Sequence, residues 1–434
     1  MASCSTEPKV PFSLEPYHVS TELGFVLPAP LQELPEYYRP WMDIAFQVSD
    51  LVQSHSLRSH IDKMPLLSTE YLQSHRELRL AHLALSAMTM GYVWQEGEEG
   101  TIQKLPRTLA VPFWEVSQSL GLPPILTHAD AVLANWRKKD LDGNLELLVS
   151  LPGGDSVRGF FMVTLLVELA AVPALRSIPA MVNGVRRGDG EAVADALEVL
   201  QQSLQDMRDT LKLLHVYVEP SIFYGIMRIY LSGWRDNPCM PRGLVYEGVG
   251  PEPVELSGGS AAQSSLLHCF DRLLGVQHET DSGLFLARMR DYMPPAHRRL
   301  IQDLSGEPSL RDFVQGASHA RLGRAFEQCL SRLVSLRSDH INVVGRFISV
   351  PAGRARRLRS QGRIQGGPLR QAPVALEERG TGGSGIMTFL KTVRDRTIDA
   401  RLPESSEVPE EQGTAVIRTD FEAELDQGDG CDPD

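Results

Sequence analysis

The feature that most constrains the fold is a long apolar-periodic run over residues 321–349. At helical spacing, Phe326, Leu330, Leu333, Leu336, His340, Val343, Val344 and Phe347 fall on one stripe. A helix of this length, apolar on one face and carrying Arg, Ser and Gln on the other, has to bury its stripe against further helices. The stripe therefore turns an imidazole, that of His340, toward the interior. Two readings are open: a core histidine satisfied by a neighbour, or a nitrogen held for the iron of a cofactor. Helical periodicity does not choose between them, because haem ligation has no spacing rule. Arg337 sits one turn earlier on the same side, a cation placed to meet a carboxylate at a cofactor edge.

The chain of 434 residues has room for two or three domains, and 42% hydrophobic residues suffice for real cores. Its net charge of -12 is misleading as a description of the surface. From Pro403 onward eleven Asp or Glu face the single base Arg418, which leaves only -2 for the residues before. A nearly neutral body argues for neither a nucleic-acid partner nor an acidic substrate. Cys4, Cys239, Cys269, Cys329 and Cys431 are scattered without a C-x-x-C pair, the usage of a reducing cytosol. The apolar run 159–175 is interrupted by Thr164, Glu168 and Pro173 and is short for a bilayer, so a cytoplasmic protein without a membrane span is expected.

Punctuation divides the chain. Residues 1–151 read as a smaller N-terminal domain of mixed, mostly helical character, with helices over 36–55, 68–92 and 129–138. Leu151-Pro-Gly-Gly154 marks a boundary, and residues 152–402 read as a large all-helical domain. Within it, residues 353–379 are expected to be a mobile Arg- and Gly-rich loop, lacking the aromatics of a nucleic-acid-binding arm, followed by a short helix over 386–396. Residues 403–434 are expected to be an acidic, disordered tail. Fold class is thus mainly α.

Common catalytic signatures are missing. Gly380-Thr-Gly-Gly-Ser-Gly385 matches G-x-G-x-x-G in letters, but no strand or βαβ unit surrounds it. There is no Walker loop, no H-E-x-x-H and no G-x-S-x-G, so difficult chemistry would belong to a cofactor. Two segments suit the far wall of a cofactor pocket. In 155–175, Gly159 permits close backbone approach, Phe160 and Phe161 offer apolar faces, and Thr164 follows one turn after Phe160, unless its hydroxyl merely bonds back to its own turn. In 221–234, Tyr224 and Arg228 stand one turn apart beside Phe223, Met227 and Leu231; an arginine buried among aromatics needs an anion, such as a substrate carboxylate.

Taken together, Leu151-Pro-Gly-Gly-Asp155 with Gly159-Phe-Phe-Met-Val-Thr-Leu-Leu-Val-Glu168, Arg228-Ile-Tyr-Leu-Ser-Gly-Trp234, Gly243-Leu-Val-Tyr-Glu-Gly248, Gly258-Gly-Ser-Ala261, Tyr292-Met-Pro-Pro-Ala-His297, Ser335-Leu-Arg-Ser-Asp-His340 and Gly380-Thr-Gly-Gly383 resemble indoleamine 2,3-dioxygenase. The resemblance spans about residues 17–396 in one order and omits the Arg-rich loop and the acidic tail. It implies a monomeric haem enzyme, with a large helical domain holding haem b and the small domain capping its distal side. His340 matches the proximal iron ligand. Phe160, Phe161 and Thr164 match distal positions around O2 and the indole, and Phe223, Tyr224, Arg228 and Leu231 a second wall. Gly259, Ser260 and Ala261 match positions beside the haem, Asp271 and Arg337 an acid and base near its propionates, and Thr381 the threonine of a loop that closes on substrate.

The chain departs from the family's better-known members in four places. They carry serine at Thr164, phenylalanine at Tyr224, and tyrosine and cysteine at His128 and Ala131. Tyr224 and His128 add polar groups to an otherwise apolar pocket, which bears on affinity for tryptophan, as in the low-affinity branch of the family; His128 itself either faces solvent or contacts a ligand. The implied reaction inserts both atoms of O2 across the indole C2=C3 bond of L-tryptophan to give N-formyl-kynurenine, the first step of the kynurenine pathway. Rival readings keep the fold but make the protein a signalling scaffold, a haem sensor or an enzyme for another indole. Leu244-Val-Tyr-Glu-Gly-Val249 has phosphotyrosine-motif spacing around Tyr246, while Phe113 stands where a second such tyrosine would be.

Overall fold

The structure is a computed structural model that describes residues 10–140, 143–278, 280–360, 372–374, 380–381 and 385–403. Residues Met1–Arg401 group as one compact unit and Leu402–Asp434 as a second, of which only Leu402 and Pro403 are among the described residues. The expected acidic tail otherwise lies outside them.

The N-terminal part is built from α1 (Arg39–Phe46), α2 (Val48–Gln53), α3 (Leu57–Lys63), α4 (His75–Trp94) and α5 (Arg107–Leu120). The central helix α4 packs on α1 and α5 and is buried along nearly its whole length. A helix was expected from residue 68, but a capping box sets the start later. Ser74 Oγ accepts the Glu77 N–H at 3.2 Å and the Glu77 carboxylate accepts the Ser74 N–H at 2.7 Å, satisfying two donors that the first turn leaves bare. The helix expected over 129–138 also stops early. Ala129–Ala134 form a π-helical turn, after which β2 (Arg137–Lys138) pairs antiparallel with β3 (Leu145–Glu146). The two-residue strands β1 (Lys104–Leu105), well before this hairpin, and β4 (Val245–Tyr246), long after it, pair in parallel.

Gly153 and Gly154 take φ of 135° and 57°, values that side chains disfavour, and this turn releases the chain into α6 (Asp155–Ala170). Pro173, one of the interruptions of the apolar run, sits at the first turn of α7 (Val172–Arg187) and starts a new helix there. Together α6 and α7 make an apolar run, Asp155–Arg187, that is long enough to cross a membrane by length and composition; 56% of its most apolar stretch is buried inside the fold. Its partner is α8 (Gly190–Leu211), which also packs along α15 (Ala320–Val344). Short helices α9 (Leu214–Tyr217) and α10 (Pro220–Ile222) lead to a segment that tightens from a π-turn, Phe223–Met227, to a 3-10 turn, Arg228–Leu231. The remaining helices, α11 (Ser265–Leu273), α12 (Thr280–Arg290), α13 (Pro295–Leu304) and α14 (Leu310–Gly316), complete the shell.

The 321–349 stripe behaves as its spacing predicts: Phe326, Leu330, Leu333, Leu336, Val343, Val344 and Phe347 are all buried. A π-turn, Gly345–Ser349, follows α15, and the chain then continues into α16 (Val350–Ser360). This corrects the loop expected from residue 353. Arg354, Arg356, Arg357 and Arg359 are good helix formers, and Ala352 and Ala355 supply a buried face. Residues 361–371 and 375–379 of that loop lie outside the described residues. The last helix, α17 (Ile386–Asp399), lies along α15.

Gly159 shows how closely α6 is approached. A Cβ there would sit 2.3 Å from the carbonyl oxygen of Tyr217 in α9, a backbone atom that cannot swing aside. We expect Gly159→Ala to lower stability by about 1–3 kcal/mol, the range for forced overpacking, read as a lower urea midpoint at unchanged slope. An unchanged midpoint would mean that the α6–α9 contact is loose.

Candidate active site

One cavity of about 310 Å³ collects most of the residues singled out in the sequence. His340 lines it from α15, together with Leu336, Val343 and Val344. The His340 ring has no hydrogen-bond partner among the described residues. Burial, with the Arg337 charge nearby, lowers its pKa to about 4, so the imidazole is neutral and its lone pair available. The ring is only half-buried because the surface it retains faces this cavity.

A second wall comes from α6, where Phe160, Phe161 and Thr164 all line the space. The Phe160 and Phe161 rings meet at 5.5 Å, and Phe160 reaches Phe223 at 5.1 Å. The Thr164 hydroxyl donates to the Phe160 carbonyl oxygen at 2.7 Å, the local back-bond that a helical threonine readily makes. Phe223 in turn touches Phe347 at 5.9 Å, closing the corner between the π-turns at 223–227 and 345–349. Arg228 and Leu231 complete this side. Arg228 is 1% exposed, its guanidinium 5.4 Å from the centre of the Tyr224 ring, and burial lowers its pKa to about 10. Tyr224 is the exception among the expected site residues: it is fully buried behind Arg228 and does not line the cavity. Burial raises its phenol pKa, and its hydroxyl has no partner among the described residues.

The third wall is a loop. Gly259, Ser260 and Ala261 line it, with Ser260 Oγ capping the short 3-10 turn Ala261–Gln263 through the Ala262 N–H at 3.2 Å. Thr381 is fastened to the same loop twice. Its hydroxyl donates to Gly259 O at 2.6 Å, and its carbonyl accepts from Gly258 N at 3.2 Å. Residues 382–384 lie outside the described residues.

Asp271 on α11 and Arg337 on α15 also line the cavity, but they are committed first to each other. Arg337 Nη2 donates to both Asp271 oxygens at 2.7 Å, and Nη1 bonds Thr397 of α17. His278 Nε2 adds a third bond to Asp271 at 2.7 Å. Burial alone would raise the Asp271 pKa; the Arg337 charge and His278 overcome it and hold the carboxyl below its usual range.

Sequence reasoning left other lining residues without a role. Glu168 sits on the α6 face four residues beyond Thr164, and its carboxylate oxygen Oε1 lies 2.8 Å from His128 Nε2 and 2.6 Å from Ser264 Oγ. His128 is thus buried in the wall, not solvent-facing. The signal was available: a glutamate in an otherwise apolar helix needs a buried partner. His268 also lines the cavity, donating to the Ala262 carbonyl at 2.9 Å, and burial lowers its pKa to about 4. Phe389, Leu390 and Val393 of α17 had no signal beyond helical apolarity.

The pattern of the indoleamine 2,3-dioxygenase family matches residues 13–400. The chain belongs to that family. It is 52% identical over 400 residues to indoleamine 2,3-dioxygenase 2 of Homo sapiens, covering 91% of this chain and 96% of the relative. It is 45% identical to indoleamine 2,3-dioxygenase 1 of Rattus norvegicus, over 90% of this chain and 96% of the relative. A protein named myoglobin from Haliotis diversicolor is 39% identical over 88% of this chain and 97% of the relative. Indoleamine 2,3-dioxygenases are haem-dependent oxidoreductases that act on tryptophan or indoles with O2.

The residues present fit that group. Among the described residues no set of three or more His, Cys, Asp or Glu side chains gathers as a metal site. His340 supplies a neutral, unpartnered nitrogen at an apolar cavity and would hold the iron of a bound haem.

The buried ion pair makes a quantitative expectation. Because the folded-state pKa of Asp271 is depressed, its stabilisation is present above the unfolded value, about 3.9, and lost as pH falls through the folded value. Asp271→Asn strands the Arg337 charge and should cost about 3–5 kcal/mol at neutral pH. In urea unfolding, the gap between wild type and variant should shrink as pH is lowered from about 5 toward about 2. A gap that ignores pH would mean that Arg337 is compensated elsewhere.

Proposed function

We propose that this protein converts L-tryptophan to N-formyl-kynurenine with haem b, placing both atoms of O2 into the product. The observation that carries the reading is the neutral His340 nitrogen directed at the same apolar cavity that Phe160, Phe161 and Thr164 line from α6. Haem bound there supplies ferrous iron for activating dioxygen. The chain's own tasks are then positional. His340 holds the group from one side, the aromatic walls exclude water and stack the indole, and Arg228 orients the amino-acid carboxylate. Gly259, Ser260 and Ala261 flank the group, and Thr381 closes the loop over the substrate. No strong acid or base is required at the reacting carbons. We further infer a cytoplasmic monomer in which residues before Leu151 cap the site.

Incubating the reduced, haem-loaded protein with tryptophan under 18O2 tests this: two labelled atoms in N-formyl-kynurenine are expected, and one or none would refute it. His340→Ala should abolish stable haem incorporation, since no neighbouring side chain on α15 supplies a replacement nitrogen; a full Soret band of unchanged imidazole type would remove His340 from the iron. Arg228→Ala should lower kcat/KM for tryptophan roughly ten- to hundredfold, the worth of a buried charged hydrogen bond, while leaving the iron site formed. An indole lacking a carboxylate should be much less affected, and equal losses for both substrates would make Arg228 structural.

A second reading, a haem protein of this fold that turns over slowly or not at all, draws on the relative named myoglobin. Docking through phosphorylated Tyr246 has less support. That tyrosine is 1% exposed and its hydroxyl donates to the Pro124 carbonyl at 2.6 Å, so a kinase would need the segment opened first.

A further inference from the structure

The arginine-rich end of α16 is not used by any role assigned above. Arg stands three residues before Ser335, Ser349, Ser360 and Thr397, the spacing at which the acidic cleft of a serine/threonine kinase reads its substrate. The fold closes three of these. Thr397 is fully buried against Arg337. Ser335 lies half-buried in the middle of α15, its hydroxyl on the Ser331 carbonyl at 2.9 Å. Ser349 belongs to the π-turn whose Phe347 and Ile348 line the cavity, so freeing it would pull the wall apart. Ser360 is exposed at the last position of α16, and Arg354, Arg356, Arg357 and Arg359 stand six, four, three and one residues before it.

The helix end opens at little cost. The buried residues of α16 are Pro351, Ala352 and Ala355, and the apolar anchor of the turn over residues 356–360 is the half-buried Leu358. The Ser360 hydroxyl donates to the Arg357 carbonyl at 2.9 Å and Arg357 Nε to the Gly353 carbonyl at 3.3 Å, exposed bonds of the kind that fray at helix ends. This is the accessibility that Tyr246 lacks.

The same helix end bears on the substrate side of the cavity. Arg359 and Arg356 stand near enough to Tyr224 for their charges to act on its hydroxyl, and the Arg228 guanidinium lies 5.4 Å from the centre of the Tyr224 ring. Three guanidinium groups thus raise the positive potential around the place assigned to the amino-acid carboxylate. We propose that Ser360 is a phosphorylation site for an arginine-directed serine kinase, and that phosphate there lowers the affinity of the cavity for carboxylate-bearing indoles. In the kinase cleft the Ser360 Oγ bonds to the γ-phosphorus of ATP, and the bond from that phosphorus to the β,γ-bridging oxygen breaks. ADP leaves with the electron pair, and the hydroxyl proton passes to the kinase's carboxylate base. The phosphoserine carries a charge of about −1.5 to −2 at neutral pH, one turn from Arg356 and Arg357. It offsets the cations that favour the carboxylate. The affinity half of the proposal rests on Arg228 as the carboxylate's partner.

The test treats the haem-loaded full chain with Mg-ATP and the catalytic subunit of cAMP-dependent protein kinase, and maps phosphate by mass spectrometry. Ser360 should be the principal site, and Arg357→Ala should lower the kinase's kcat/KM at least about tenfold, the worth of one charged hydrogen bond. No phosphate at Ser360, phosphate there only after heat denaturation, or an unchanged rate in Arg357→Ala overturns the site. Tryptophan binding is then measured by calorimetry. Phosphorylation should raise Kd about two- to fivefold at low salt, the scale of exposed charges, and much less at about 0.5 M salt. Phosphatase should reverse the change, while the Soret band and the binding of an indole lacking a carboxylate stay as they were. An unchanged Kd in the phosphorylated protein, where Arg228→Ala still weakens tryptophan binding, overturns the affinity half. If Arg228→Ala binds tryptophan normally, the carboxylate reading falls and the affinity half with it, and Ser360 stands on the mass spectrum alone.

Discussion

Burying a guanidinium is costly unless its charge is met, and Arg337 answers that constraint in a way that organises the site around it. Its two forks reach Asp271 on α11 and Thr397 on α17 while its own backbone belongs to α15. Three helices that are far apart in sequence are thereby locked at one point, one turn from His340. Taking two charges out of water is expensive, and replacing such a pair with apolar side chains is often no loss to stability. What the pair gives here is direction: α15 cannot rotate about its axis without breaking the bonds from Arg337 to Asp271 and Thr397, so the imidazole one turn along keeps its aim into the cavity.

The cavity sits within a tightly packed frame: α8 packs against both α7 and α15, and α4 is buried along nearly its full length. Polar groups at the cavity are few and mostly tied: Thr164 to its own turn, His268 to Ala262, Thr381 to Gly259.

How much of this was legible in the sequence depended on whether the signal was periodic. The α15 stripe was fully readable, because eight residues repeated at helical spacing and only burial satisfies such a pattern. Motif order carried the rest of the pocket, and every expected lining residue except Tyr224 reached it. Tyr224 missed because the segment is not a regular helix: a π-turn gives way to a 3-10 turn at Arg228, which rotates neighbouring side chains away from α-helical expectation. Residues 353–360 were misread for another reason. Arginine is solvated in a loop and on an exposed helix face alike, so composition without an apolar stripe could not separate the two. Glu168 was noticed only as an interruption of an apolar run; its partner His128 lies 40 residues earlier, a pairing that spacing cannot reveal.

Three π-helical turns, Ala129–Ala134, Phe223–Met227 and Gly345–Ser349, each place residues on the cavity: Ala131 and Val132, Phe223, and Phe347 with Ile348. A π-turn holds one residue more than the α-turn it replaces, so each is a backbone bulge that pushes a wall outward or inward without changing any side chain. Removing a single residue from one of them would restore α-helical winding and swing everything after it by about 100°. The width of this chamber is therefore written in chain length as well as in side chains, at three points where one residue more or less would resize it.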